Sequence, residues 1–158
     1  MKNPKTYTVD EATKVLENYC AYQERCHKEV EQKLYDLNMI SEVKEHIILH
    51  LLQHNYLNEE RFAMHFAASK MRQKKWGRRK IEIALKEKGL GEKLIKQSIG
   101  ALNKVQYSSN LVALIEKKDR TLRYSSEYER KQKLIRYFLG RGYLWTEIEI
   151  ALEDFLKV

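Results

Sequence analysis

Proline is almost missing from this 158-residue chain, with Pro4 the only one. Beyond it, nothing interrupts a helix by removing a backbone donor. The six glycines mostly fall between apolar-periodic segments, where helices stop. No alternation of apolar and polar residues is sustained, so strands are not expected. Long apolar runs are also absent, and none approaches the roughly 20 residues that cross a bilayer. The opening Met1-Lys2-Asn3-Pro4-Lys5 lacks the apolar stretch of a signal peptide. The expectation is a cytoplasmic protein with no membrane partner. Cysteine is limited to Cys20 and Cys26. Two do not make a disulfide framework, and their spacing fits neither Cys-x-x-Cys redox chemistry nor a four-ligand zinc site. They read as reduced thiols near a helix junction.

Catalytic signatures are equally sparse. Gly89-Leu90-Gly91 is not followed by the Lys-Ser/Thr pair of a phosphate-binding loop, and no Gly-x-Ser-x-Gly elbow occurs. Carboxylates are scattered along helix faces near Lys or Arg, as on solvated helices, rather than paired in an apolar setting. His46, His50 and His54 recur every helical turn, a spacing at which two imidazoles share a metal. The zincin pattern, however, wants Glu where Ile47 or Leu51 stands. A polar shoulder beside a core stripe of Val43, Ile47 and Leu51 accounts for them as well. No enzyme activity, metal or cofactor is expected.

What is present is a folded, basic, helical chain. Hydrophobic residues make up 43% and charged ones 33%, a normal balance for a folded domain. Thirty Lys and Arg against 22 Asp and Glu give a formal charge of +8, which favours a polyanionic or acidic partner. Thr8-Val9-Asp10-Glu11 has the capping-box form and predicts a first helix carrying Ala12, Val15, Leu16 and Tyr19. A second runs from about His27 to Leu37, closed by Asn38, and a third from an N-cap at Ser41 to about His54. Asn58 caps a fourth with Phe62, Ala63, Phe66, Ala67 and Met71 on one stripe, broken at Gly77. Short helices follow through Ile81–Leu85 and Leu94–Leu102. The last third holds a helix through Leu111–Ile115, one capped at Ser126, and one capped at Thr146.

These segments repeat. Val30, Leu34 and Asn38 are echoed by Ile81, Leu85 and Gly89, then by Leu134, Phe138 and Gly142. Each set is two apolar residues one turn apart and a helix-stopping residue a turn later. Three-helix units of this size bury their apolar faces poorly alone and lean on neighbours. The predicted fold is therefore all-α: three tandem three-helix, helix-turn-helix-like repeats in an elongated, curved array. Residues 1–55 hold the N-terminal helix and first repeat, 56–105 the second, and 106–158 the third.

The candidate site is a one-sided run of charge. No acid stands between Glu60 and Glu82, an interval holding Arg61, Lys70, Arg72, Lys74, Lys75, Arg78, Arg79 and Lys80. Cations at the end of the fourth helix complement its dipole, a structural reason for some of them. Arg78, Arg79 and Lys80 enter the positive end of the next helix, which costs stability unless an anion is expected there. The seven residues Lys70, Arg72, Lys74, Lys75, Arg78, Arg79 and Lys80 are the candidate partner-binding or DNA-binding set; the alternative is a solvated face. Trp76 lies among them, suited either to packing on a neighbouring helix or to stacking on a base. The ten tyrosines are spread out, and most are expected at seams between repeats.

In this order the segments resemble the RecX family, regulators of the RecA recombinase. Asn55-Tyr56-Leu57-Asn58-Glu59-Glu60-Arg61-Phe62-Ala63 is similar to the family's Gly-Tyr-Leu-Asp-Asp-x-Arg-Phe-Ala signature. Arg72, Trp76-Gly77, Ile81, Leu85, Lys88 and Gly89 continue in register, and Tyr22, Arg25, Glu29, Lys33 and Leu34 look like the opening of the first repeat. Asn replaces Gly at 55 and Asp at 58, exchanges that a left-handed position and an N-cap accept. The last third matches through its helical pattern only. The resemblance implies a monomeric array seated in the groove of a RecA–single-stranded DNA filament. There it lowers ATPase, strand exchange and filament extension, and it binds bare DNA weakly. A stand-alone, sequence-independent DNA-binding module is the alternative.

Overall fold

The structure, a computed structural model, describes residues 5–157; Met1–Pro4, on which the signal-peptide reading rests, lie outside the described residues. Among those residues there are nine α-helices and no strand. They are α1 Val9–Tyr22, α2 His27–Asp36, α3 Ser41–Gln53, α4 Glu59–Ser69, α5 Arg78–Glu87, α6 Glu92–Gly100, α7 Lys104–Thr121, α8 Glu127–Gly140 and α9 Trp145–Leu156. α1 packs on both α2 and α3, α4 on α6 and α6 on α5, and α9 on both α7 and α8. The chain is thus three consecutive three-helix units.

The echoed triplets explain the repetition. Val30, Leu34, Ile81, Leu85, Leu134 and Phe138 are all fully buried. Asn38, Gly89 and Gly142 all adopt left-handed backbone, with φ of 59°, 84° and 96°. Each ends the middle helix of its unit and returns the chain toward the third, the turn for which glycine or asparagine is suited. Thr8, Asn58 and Ser126 cap their helices as their sequences require, each accepting from the amide three residues on at 2.9–3.1 Å.

Three local expectations need correction. Ser41 is the first residue of α3 rather than its cap; Ile40 holds the cap position, its carbonyl accepting from Lys44 N at 2.9 Å. Likewise α9 starts ahead of Thr146. Leu144 is its cap residue, and the Glu147 carboxylate reaches back to the Leu144 amide at 3.1 Å. Tyrosine serves the seams less than expected: only Tyr107 and Tyr143 are buried, whereas Tyr22, Tyr35 and Tyr128 stand in solvent.

The units are joined in a line. The first has its own core, built on Ala12, Leu16, Val30, Leu34, Ile47 and Leu51. Cys26 leaves that core to join the one shared by the second and third units, which runs from Phe62 and Met71 through Leu111 and Phe138 to Leu152. Arg61 also ties the first unit to the second. Its Nε donates to Glu24 Oε1 at 2.5 Å, and its NH2 group donates to the carbonyls of Asn55 and Tyr56. Asn55 is left-handed, with φ 61°, which explains why glycine suits that place in the resembling signature. Among the described residues no hydrogen bond or ion pair joins the first unit to the third. The chain exposes 10695 Å². A compact monomer of 18.9 kDa would expose about 8,300 Å², so the array is elongated.

The third unit also differs at its outer face. Cys26 and Gly77 stand four residues ahead of Val30 and Ile81 and open their middle helices at the seams. Four residues ahead of Leu134 stands Arg130, inside an α8 that begins about a turn earlier. Arg130 is clamped to Asp119 through two hydrogen bonds of 2.7 and 2.6 Å. A charged, internally paired residue thus stands where the first two units have a small one at a seam.

Candidate interaction surface

The basic run folds into a π-helical turn, Lys70–Lys74, that prolongs α4 and ends at Lys75, which is left-handed with φ 57°. The helix is therefore stopped by a lysine, not by Gly77. Gly77 has an ordinary φ of −76° and caps α5. Its lack of a side chain has another cause. A Cβ there would lie 2.2 Å from the Gly142 carbonyl carbon and 2.3 Å from Tyr143 N. One on Gly142 would lie 2.5 Å from Lys80 Cβ. The two glycines let the backbones of the second and third units meet. Gly77 N donates to Arg141 O at 3.0 Å and Arg79 N donates to Gly142 O at 2.9 Å.

Third-unit side chains finish the seam. The wide turn leaves the Met71 carbonyl to be satisfied from outside its helix, and buried Asn110 donates to it at 3.1 Å. Tyr143 OH donates to Lys75 O at 2.8 Å, and the Arg141 guanidinium donates to Lys74 O at 3.1 Å. Tyr107 OH accepts from Arg78 N at 3.0 Å and donates to Glu147 Oε2 at 2.8 Å. Glu147 Oε1 lies 2.6 Å from Arg78 Nε. The anion that the α5 N-terminus calls for is thus supplied from α9 of the same chain. Burial works against the Arg78 charge, but Tyr107 and Glu147 outweigh it and hold the guanidinium more firmly protonated. Burial raises the Tyr107 phenol well above its ordinary range.

The seven candidate cations accordingly separate. Arg78 is committed to the seam. Lys70 and Lys80 place their ammonium groups over the Trp76 ring, 5.0 and 4.9 Å from its centre, while Trp76 itself packs against the shared core. Lys75 is half-buried, its carbonyl held by Tyr143. Arg72, Lys74, Arg79 and Lys80 are exposed. Arg141 joins them from the third unit through its hydrogen bond to Lys74 O, a neighbour that no local pattern announces.

The other candidates lead elsewhere. His50 faces Glu17 at 3.7 Å, meets the His54 ring at a tilt and lies near parallel to the Tyr56 ring; among the described residues no group of three or more His, Cys, Asp or Glu is placed to hold a metal. Cys20 and Cys26 are buried free thiols, and burial pushes the Cys20 pKa up to about 11. No helix among the described residues is long and apolar enough to cross a membrane. A groove of about 350 Å³ lies beside Arg78 and Glu147, walled by Leu102, Leu111 and Ile150.

Fold and site together define a helical-repeat protein with a basic face built at a seam between units. Family models for the second and third three-helix domains of RecX match residues 58–99 and 106–152. The regulatory protein RecX of Pelodictyon phaeoclathratiforme is 33% identical over 124 residues, covering 78% of this chain and 76% of that protein. That of Bacillus cytotoxicus is 29% identical over 137 residues, covering 87% of this chain and 51% of the relative. The chain spans about half the length of the Bacillus cytotoxicus and Leuconostoc citreum relatives, at 51% and 55%. The crystal structure of RecX from Lactobacillus salivarius shares the fold with a TM-score of 0.86 at 21% identity, over 95% of this chain and 97% of that one. The chain belongs to the RecX family, whose curated members carry the name of regulatory proteins.

Proposed function

We propose that this chain binds the RecA–single-stranded DNA filament and lowers its ATPase, strand exchange and extension, without catalysis or a cofactor of its own. The observation that carries this reading is the exposed set Arg72, Lys74, Arg79 and Lys80, on a stretch free of acids and set by the seam of a RecX-family array. Cations held on a rigid helical frame suit phosphate contacts that orient without reading sequence. In this reading the protein acts in the cytoplasm as a monomer, bare single-stranded DNA is a weak ligand, and the repeats divide at 55/56 and 105/106.

The test is a titration of RecA ATPase on single-stranded DNA. Wild-type protein should depress the rate at stoichiometric levels, and a variant with Arg72, Lys74, Arg79 and Lys80 all replaced by Glu should not. An unchanged rate with wild-type protein sinks the reading. Equal affinity for filament and naked DNA, with a steep salt dependence, would instead favour a stand-alone DNA-binding module.

A further inference from the structure

We propose that Tyr143 and Arg141 of the third unit are positioning residues for the basic surface of the second, fixing where its cations stand. The inference rests on the reading that this surface takes nucleic-acid phosphates. The loop they hold is strained. Lys75 adopts a left-handed conformation at the end of a π-helical turn, which an L residue with a long side chain adopts at a cost. Within its own unit, the loop is closed by the Lys75 and Trp76 amides, which both share the Lys70 carbonyl.

The remaining support comes from the third unit. Tyr143 is almost fully buried, and its hydroxyl donates to Lys75 O at 2.8 Å; Arg141 donates to Lys74 O at 3.1 Å. Both act on main-chain carbonyls, so they set the path of the backbone and leave the lysine side chains free. That backbone path decides the spacing of Arg72 and Lys74 on one side of the turn from Arg79 and Lys80 on the other. Tyr143 follows the left-handed Gly142 and comes within reach of Lys75 only because Gly77 and Gly142 allow their backbones to meet. The third unit therefore acts on the partner through the second.

Tyr143→Phe removes this hold without changing charge. The probe is a fluorescein-labelled oligothymidylate, read by anisotropy across a salt titration, with each protein's folding checked by circular dichroism. Tyr143→Phe should weaken binding about three- to tenfold and make the salt dependence shallower by about 0.7 for each phosphate no longer neutralised. Arg141→Lys, which keeps the charge and shortens the reach, should weaken binding in the same direction. Lys75→Gly accepts the left-handed conformation without support. The double variant Lys75→Gly/Tyr143→Phe should therefore bind no more weakly than Lys75→Gly alone, whereas a merely structural tyrosine would give additive losses. Additive losses overturn the proposal. So does an unchanged affinity and salt slope for Tyr143→Phe when Lys74→Glu/Arg79→Glu abolishes binding. If Lys74→Glu/Arg79→Glu itself leaves binding unchanged, the phosphate reading beneath the proposal fails instead.

Discussion

Gly77→Ala should separate the second and third units, because its methyl has nowhere to go. The added Cβ would sit 2.2, 2.3 and 2.5 Å from Gly142 C, Tyr143 N and Gly142 O, all of them main-chain atoms. Carbon contacts settle near 3.5–4.0 Å, so relief needs a backbone shift of about 1 Å or more. Such a shift strains the bonds from Gly77 N to Arg141 O and from Arg79 N to Gly142 O. Overpacking costs about 1–3 kcal/mol and each broken hydrogen bond about 1 kcal/mol, for a total of about 3–5 kcal/mol. For a chain of this size that lowers Tm by about 6–20 °C, read by thermal circular dichroism. Gly100→Ala is the matched control. Nothing lies within 4 Å of a Cβ there, and the residue ends α6 at an ordinary φ, so the change should be neutral or mildly stabilising. A Gly77→Ala protein that melts with the wild type would refute the backbone-to-backbone seam.

The third unit should lose stability in acid. Hydrogen bonds from Arg130 hold the Asp119 carboxyl below its usual 3.8. A lowered folded-state pKa stabilises the fold above the unfolded value and is lost as pH falls through the folded one. Glu129, drawn down to about 2 by Ser125 and then Lys133, loses its share over the same acidic range. Melts at decreasing pH should therefore show Asp119→Asn to be less stable than wild type near neutrality, by about 1 kcal/mol, with the gap closing below about pH 4; a constant gap would contradict the pairing. The cysteines give a further test. Burial raises both thiol pKa values, Cys20 to about 11, so Ellman's reagent should leave both unlabelled in the native protein and label both in denaturant. Rapid native labelling of Cys26 would mean that the first and second units do not pack as described.

The sequence revealed what local chemistry decides. Thr8, Asn58 and Ser126 cap because their oxygens reach an amide three residues away, a pattern visible in any helix start. Asn38, Gly89 and Gly142 mark the three turns because few residues tolerate left-handed backbone, and their common spacing from buried pairs exposed the repeat. The π-helical turn was hidden, since no residue type enforces it and Lys75 is a poor left-handed candidate. Gly77 could be read as a stop but not as a close approach, because its partner Gly142 lies in another unit. The same distance hid Glu147, Tyr107, Tyr143 and Arg141. Net charge located the basic face, but only the fold separates Arg78, spent on Glu147, from Arg72, Lys74, Arg79 and Lys80.

Electron microscopy of RecA–single-stranded DNA filaments, with and without the protein, tests the central claim most directly. The expected result is added density of three linked helical units along the filament groove, with the face bearing Lys74 and Arg79 turned toward the DNA. Filaments that stay bare at saturating protein, or density with that face turned to solvent, would contradict it.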